Sequence, residues 1–486
     1  MRIFRVPKPS LANVFPLWPV YGLPMLLLRW VWTETGNETV APRITYYTLR
    51  VLMFALSFVL EDWAIHELVR SPRHRREAVV LVASSYVTWT YQTHTFSNSI
   101  ETLLVAWSLV LIQRILENRN RSSFFSSSIL AFLLVFGIFN RITFPTFVLI
   151  PCLRLLPHFI RKPGSFLILL LVGSFIALLA IFIDTNFYNP DLPILHTFLH
   201  NPTITPLNSL LYNTQTSNLA QHGLHPRHQH ILINLPQLLG PALLLLTNPL
   251  AAKPLTSLPI LSSISSLIFL SILPHQELRF LIPIAPLVLS TLRLPVASRP
   301  RRLFFAIWLL FNAIFGVLMG SFHQAGVVPA QLAISEDPTL TLTKTPAPAN
   351  ITSAFWWKTY SPPIWLLNGK APFLETHDLM GLPGPELITL LTNETRCSEG
   401  KSVLLIAPRS AKFLDRYTTA PPKSREGESG GPIIFTEVWS RTRHLNLDGL
   451  DFGEDGVWET LKRVVGRAGI VIWRVGRDCN NGGYDK

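Results

Sequence analysis

Apolar runs recur through the first two thirds of this chain, and the short connectors between them carry most of its arginine. Residues 46–60, 78–91, 100–116, 129–139, 144–156, 166–183, 231–247, 258–273, 278–292 and 303–322 read as about ten membrane spans. A bilayer core takes roughly 20 apolar residues per helix, and several of these runs approach that length. Backbone polar groups in lipid must be satisfied internally, so such runs have little choice but helix. Composition agrees. Only 15% of the 486 residues are charged, against about 25% in a soluble domain, and the mean hydropathy is +0.33. An eleventh run, 14–31, contains Pro16, Pro19, Pro24, Trp18 and Trp30, which suits an interfacial or re-entrant segment better than a clean span.

The net charge of +13 does not indicate nucleic-acid binding, because the basic residues are dispersed among interhelical loops rather than gathered on one face. They alternate. Arg70, Arg73, Arg75 and Arg76 share one loop, Arg114, Arg119 and Arg121 lie two connections later, Arg154, Arg161 and Lys162 follow, and then Lys253 and Arg293, Arg299, Arg301 and Arg302. The intervening loops are poor in charge. The positive-inside rule places the Arg-rich loops in the cytosol, and 92–98, 140–141, 184–230, 274–279 and everything beyond 322 on the lumenal side. The triplets starting at Asn37, Asn350 and Asn393 then fall in lumenal segments and that at Asn120 in a cytosolic one.

The expected organisation is an N-terminal remnant, 1–45, a multi-pass domain, 46–322, with a long lumenal loop at 184–230, and a smaller lumenal α/β domain, 323–486. In the last of these, 401–408 (KSVLLIAP), 432–439 (PIIFTEVW) and 469–475 (GIVIWRV) read as strands and 457–466 as a helix, with 421–431 a Pro-, Gly-, Ser- and Glu-rich loop. Cys152 lies in an apolar run and reads as packing; Cys397 and Cys479 could pair in an oxidising lumen.

Three predicted lumenal segments concentrate the unusual chemistry. His275, Gln276, Glu277 and Arg279 stand between two apolar runs; ionisable groups at a bilayer edge commonly line a cavity or substrate path. An arginine there can hold a phosphate by a two-pronged charge-assisted grip, with His275 as a second cation or proton carrier and Glu277 orienting either. The turn 92–98 (QTHTFSN) offers His94, while Ser97 or Asn98 is expected to cap the following helix. The loop 184–230 carries Asp184, Asn186, Tyr188, Asn208, Tyr212, Asn213, His222, His225, His228 and His230. The spacing H-x-x-H-x-x-H-x-H in an irregular stretch lacks a neighbouring carboxylate ligand, so carbohydrate hydroxyls or phosphate are better partners than a metal.

These segments, in order, resemble a known family. Thr205 to Asn213 (TPLNSLLYN), His222 to Pro226 (HGLHP), Leu235-Pro236 and HQELRFL at 275–281 are similar to the dolichyl-phosphate-mannose-dependent mannosyltransferases of glycosyltransferase family 22, which have the GT-C fold. Within it, the stretches 14–21, 56–68, 84–107, 139–145, 323–331 and 444–457 most resemble the fungal branch acting on GPI-anchor precursors. The resemblance implies an enzyme of the ER membrane, working on its lumenal side without cofactor or metal. It would move a mannose from the lipid-linked donor to the third mannose of a GPI precursor, in α-1,2 linkage. It makes His275, Glu277 and Arg279 the donor-phosphate set and His94, Asn208, Tyr212, Asn213 and His225 candidates around the acceptor. Such enzymes begin with a span and a loop bearing an Asp-Glu pair that serves as catalytic base. No such pair precedes Val14, so the chain reads as N-terminally truncated, its base is unassigned, and Asp184 is the candidate second acid. Glu61-Asp62 is no substitute, since the charge pattern puts it at the cytosolic end of a span. The alternatives are another family-22 mannosyltransferase, for the third GPI mannose or the N-glycan lipid precursor, and, from a different class, a transporter or structural membrane subunit. The absence of internal repeats argues against a transporter.

Overall fold

The computed structural model describes residues 13–36, 40–118, 120–220, 223–246, 256–336, 351–367, 374–395, 402–418 and 433–477. The sequence features at Asn37, His222, Lys253, Asn350, Cys397, Cys479 and 421–431 lie outside them. The chain is mainly helical with one five-stranded sheet. It divides into a larger unit, 1–28 with 48–316, and a second formed by 29–47 with 317–486.

In the larger unit most expected spans appear as helices, several longer than their apolar runs. Three described helices are long and apolar enough to cross a membrane: Ser97–Glu117, Pro163–Tyr188 and Ser298–Phe322. The first expected span is a 27-residue helix, Pro42–Leu68, that continues past residue 60 because its charges find partners. Trp107 Nε1 donates to the Leu60 carbonyl at 3.0 Å, Arg114 pairs with Glu67 at 2.9 Å, and Arg70 pairs with Glu117. Both members of these contacts advance together along the chain, so Pro42–Leu68 and Ser97–Glu117 run parallel, and Pro72–Ala83 with the π-turn Thr88–Gln92 makes the return. Glu61 is buried and accepts a long hydrogen bond, 3.4 Å, from Gln92 Nε2.

Two expected spans are not continuous helices. The run 278–292 splits into a 3₁₀ turn, Leu278–Leu281, and a single helical turn and a half, Ile284–Leu289. Pro283 and Pro286 lack the amide hydrogen a helix needs there. Residues 281–289 are nevertheless largely buried, and irregular backbone at membrane depth is tolerated where protein surrounds it. The run 231–247 breaks likewise into a π-turn, His230–Asn234, and two short helices, Leu235–Leu239 and Ala242–Leu246. Gly240 between them has φ +47° and ψ −125°, a region other residues rarely occupy. The segment 14–31, expected at an interface, forms a π-turn, Trp18–Gly22, and the helix Leu23–Glu34, with Trp18, Leu27 and Trp30 exposed.

The second unit is a mixed sheet. Strands β1 (Ile351–Trp356), β2 (Glu375–Asp378), β3 (Ser402–Pro408), β4 (Ile433–Arg441) and β5 (Ile470–Arg477) lie in the order β2-β1-β3-β5-β4. The first three are parallel, and β5 and β4 antiparallel. Central β3 is buried on both faces, which is why VLLIA is continuously apolar rather than alternating. On one face Ala354, Trp356, Leu404, Ile406, Ile470 and Ile472 pack with Val327, Ala330 and Ile334 of the helix Val327–Glu336. On the other, Phe355, Val403, Leu405 and Trp473 pack with Leu387 and Leu391 of Gly384–Glu394. Within this unit Arg43 grips Glu336 in a bidentate pair, Nε to Oε1 at 2.8 Å and Nη2 to Oε2 at 2.8 Å. The reading from sequence anticipated β3, β4, β5 and the helix Phe452–Val464 but not β1 and β2. β2 is a four-residue polar edge strand (ETHD), and the apolar run of β1 (ITSAFW) is only three residues long within the strand.

Gly240 yields a test of this architecture. A Cβ there would lie 2.5 Å from the Phe311 ring as well as holding a backbone conformation that L side chains rarely adopt. Gly240→Ala should destabilise the larger unit by about 1–3 kcal/mol, read as a lower melting temperature of the detergent-solubilised protein; an unchanged melting curve would refute the backbone assignment.

Candidate functional site

The motif HQELRF sits where Leu258–Ile272 ends and the 3₁₀ turn begins, in extended backbone that turns alternate side chains opposite ways. Gln276 faces inward and is 1% exposed. Its amide nitrogen donates to the carbonyls of Ser271 at 2.9 Å, Leu273 at 3.1 Å and Arg227 at 3.3 Å, and its oxygen accepts from the His230 amide at 3.0 Å. One side chain thus ties the helix end to the far end of the long loop.

Its neighbours face the other way. His275 Nε2 contacts Glu277 Oε1 at 2.8 Å and Nδ1 contacts the Gly223 carbonyl at 2.8 Å. Both ring nitrogens therefore meet acceptors, which only the doubly protonated ring satisfies. The hydrogen bond to Glu277 raises the His275 pKa above its ordinary value, outweighing burial. Glu277 also takes Arg279: one guanidinium nitrogen reaches Oε1 at 3.0 Å and Nε reaches Oε2. Burial pushes this carboxyl up, but the His275 hydrogen bond and the Arg279 charge together hold it at about 2. One carboxylate between two cations leaves local positive charge, and the Arg279 side chain is 48% exposed.

A second arginine stands behind. The guanidinium carbons of Arg141 and Arg279 lie 5.4 and 5.9 Å from the Phe280 ring centroid. Arg141 follows the helix Phe124–Asn140 and donates to Ser97 Oγ at 2.9 Å and Asn98 Oδ1 at 3.3 Å. Its Nε lies 3.0 Å from Glu101 Oε2, but that N–H is aligned on Thr143 Oγ1 at 3.1 Å, so the contact with Glu101 is an ion pair rather than a directed hydrogen bond. Thr143 donates to the other Glu101 oxygen at 2.5 Å. Asn98 Nδ2 donates to the Arg279 carbonyl at 2.9 Å, joining the two layers. Asn98 and Ser97 therefore do not cap their helix as expected; Phe96 occupies that position without a side-chain bond. The competing attraction of Arg141 and of the Arg279 carbonyl redirects both side chains.

Of the residues singled out from sequence, His275, Glu277, Arg279 and His225 come together. The His225 ring lies 5.6 Å from that of His275, its Nδ1 accepts from the Gln276 amide at 3.3 Å, and its own amide donates to Pro274 at 2.8 Å. His94 stacks on Phe96 with ring centroids 4.6 Å apart, and burial pushes its pKa down to about 3, so the ring is neutral. Asn208, Tyr212 and Asn213 lie on the helix Thr205–Thr214, where Asn213 donates to its own helix at Ser209. Asp184 is fully buried, with Oδ1 accepting from the amides of Val14 and Phe15 at 3.0 Å and Oδ2 from Thr205. That geometry gives Asp184 an anchoring position. Gln276, Asn98, Glu101 and Arg141 are the participants that sequence reasoning did not assign; a lone Glu inside an apolar helix was the signal for Glu101.

The fold and site together describe a helical protein with an arginine-lined polar cluster beside apolar helices. The profile of the Alg9-like mannosyltransferase family matches residues 6–367, and the chain belongs to that family, which makes it a mannosyltransferase. The chain is 52% identical to a protein of Aspergillus oryzae named GPI mannosyltransferase 4, over 98% of this chain and 91% of that one. Proteins of the same name from Emericella nidulans (48% identical, 95% and 88% covered) and Saccharomyces cerevisiae (40%, 90% and 85%) are also similar. No solved structure matches it.

The His275–Glu277 pair sets a pH dependence. A histidine whose folded pKa is raised contributes stability that is complete below its unfolded value, about 6.5, and is lost as pH rises through the higher folded value. Glu277→Gln removes the main cause of the upward shift. The melting temperature of the native protein should fall as pH rises from about 6 to 9 more steeply than that of Glu277→Gln; parallel curves would show that His275 is not charged by Glu277.

Proposed function

We propose that this chain transfers mannose from dolichyl-phosphate-mannose to the third mannose of a GPI-anchor precursor, forming an α-1,2 link on the lumenal side of the ER membrane. It is read as a polytopic protein of about ten spans whose C-terminal α/β unit is lumenal. The observation that carries the reading is 52% identity, across nearly the whole chain, to a protein named GPI mannosyltransferase 4. The site chemistry supports it. As the anomeric carbon loses its lipid phosphate, negative charge grows on the leaving oxygen; preorganised cations in a water-poor site stabilise that change best. Arg279 supplies a half-exposed planar donor set and His275 an imidazolium beside it. Glu277 fixes both, and Arg141 adds positive charge from behind Phe280. The acceptor hydroxyl needs a general base, a contribution of typically 10²–10⁴-fold.

The direct test is transfer of radiolabelled mannose, in microsomes expressing this chain in cells lacking the fourth-mannose step, to a three-mannose GPI precursor. A four-mannose product is expected, and its absence from correctly inserted protein, with the donor present, would defeat the reading. Arg279→Ala should reduce turnover per inserted molecule about ten- to a hundredfold, from the loss of roughly 1.5–3 kcal/mol of charge-assisted hydrogen bonding. Arg279→Lys should recover only part, because a point ammonium lacks the planar fork. A normal rate per molecule in Arg279→Ala would leave Arg279 as a mere interfacial anchor. Orientation has its own check. Asn120 and Asn393 are both exposed, and endoglycosidase treatment should shift the mass through Asn393 and not Asn120; the opposite result would invert the topology.

A further inference from the structure

Phe280 is an apolar residue in the middle of a charged cluster. The 3₁₀ turn Leu278–Leu281 puts it there: the Phe280 amide donates to the Glu277 carbonyl at 3.2 Å, and residues three apart in such a turn lie over one another. Leu281 and Ile282, the next two residues, are fully buried, while Phe280 is only half-buried. Core packing falls to its neighbours, and what surrounds the Phe280 ring is charge. The guanidinium carbons of Arg141 and Arg279 stand over it, 5.4 and 5.9 Å from its centroid. The His275 ring lies 5.6 Å away, turned by 70°.

Two guanidiniums beside one side chain repel each other. An aromatic face is the electronegative part of its ring and attracts a cation placed over it. A guanidinium held in this way keeps its N–H groups for oxygen acceptors. Each arginine has such groups left. Arg279 engages Glu277 through Nε and Nη2, its Nη1 makes no hydrogen bond among the described residues, and its side chain is 48% exposed. Arg141 bonds through Nε and Nη1, and its Nη2 likewise makes none among them. A phosphate that approaches Arg279 also competes with Glu277 for it. The contact with the ring does not depend on those N–H groups, so the guanidinium can turn its edge from carboxylate to phosphate without leaving its place.

We propose that Phe280 is a positioning residue of the candidate donor site, whose ring carries Arg141 and Arg279 and so holds their unengaged N–H groups in place for the phosphate of the lipid-linked donor. The identity of that phosphate rests on the function proposed above. Without the ring, Arg279 would depend on Glu277 alone, and the two like charges would be free to move apart. The phosphate would then have to order them as it binds, at a cost in affinity that a preorganised pair avoids.

The test changes the charge distribution of the ring while keeping its size. Binding of farnesyl phosphate to the full-length chain is measured in detergent, without acceptor or turnover. The native chain should bind it, and farnesol, which lacks the phosphate, should not compete. Phe280→Tyr keeps the aromatic face and should bind as the native chain does. Phe280→Leu should weaken binding about tenfold, a change of about 1.4 kcal/mol that lies within the range of one desolvated cation–π contact. A 3,4,5-trifluorophenylalanine placed at position 280 by nonsense suppression fills the same space with an electron-poor face, and should weaken binding as much as Phe280→Leu does. In an Arg279→Ala background the loss caused by Phe280→Leu should be smaller than in the native chain. Native affinity with the trifluorinated ring, whatever Phe280→Leu does, would reduce Phe280 to packing and overturn the proposal. An equal loss from Phe280→Leu in both backgrounds would overturn it too, and full competition by farnesol would remove the phosphate from the site. A chain that shows the expected binding pattern but transfers no mannose would refute the proposed reaction and leave this role of Phe280 standing. Mannose transfer with an affinity indifferent to the trifluorinated ring would do the reverse.

Discussion

Gln276 holds the candidate donor site in place. Its buried amide links the end of Leu258–Ile272 to Arg227 and His230, 49 and 46 residues earlier in the chain. Leaving any one of those buried groups unpaired would cost about 1–3 kcal/mol, so the segment has a strong reason to adopt a single register. Because extended backbone alternates its side chains, fixing Gln276 on one side fixes His275 and Glu277 on the other. The charges of the site are a consequence of one neutral, fully satisfied side chain between them.

The charged groups are then arranged so that each limits the freedom of the next. Glu277 shares its two oxygens between His275 and Arg279, and the backbone of Arg279 is held by Asn98, which is itself engaged by Arg141. Glu101, with no exposed side-chain surface, makes the buried partner that Arg141 requires. Removing one member of such a pair typically costs 3–5 kcal/mol, more than the pair contributes over an apolar replacement. The pair is therefore poor as a source of stability and good as a means of placing a guanidinium behind Phe280.

Much of this was legible from the residues. The apolar runs located most helices, and the clustering of His275, Glu277 and Arg279 between two of them marked the candidate site. The failures have physical causes. Runs 231–247 and 278–292 are apolar enough to span but contain Pro236, Pro241, Pro283 and Pro286, and tertiary burial lets broken backbone survive there. Asn98 has the residue type of a cap, yet Arg141 and the Arg279 carbonyl, 43 and 181 positions away in sequence, draw its side chain off. Pairings at that separation leave no local pattern. Asp184, the candidate second acid, is engaged by Val14, Phe15 and Thr205, partners that its position at a helix end does not reveal. The edge strand Glu375–Asp378 buries too little to announce itself.

The candidate donor cluster is prepared for a ligand by competition. At His275–Arg279 the cations are already neutralised in part by Glu277, so an incoming phosphate competes with a carboxylate for the same guanidinium. Such a site gains selectivity for the state in which charge has accumulated, because a doubly charged leaving phosphate competes better than the singly charged ester from which it forms. Transition-state interactions raise turnover and ground-state interactions lower the concentration needed for saturation. Selectivity for accumulated charge at the candidate donor cluster would be an interaction of the first kind.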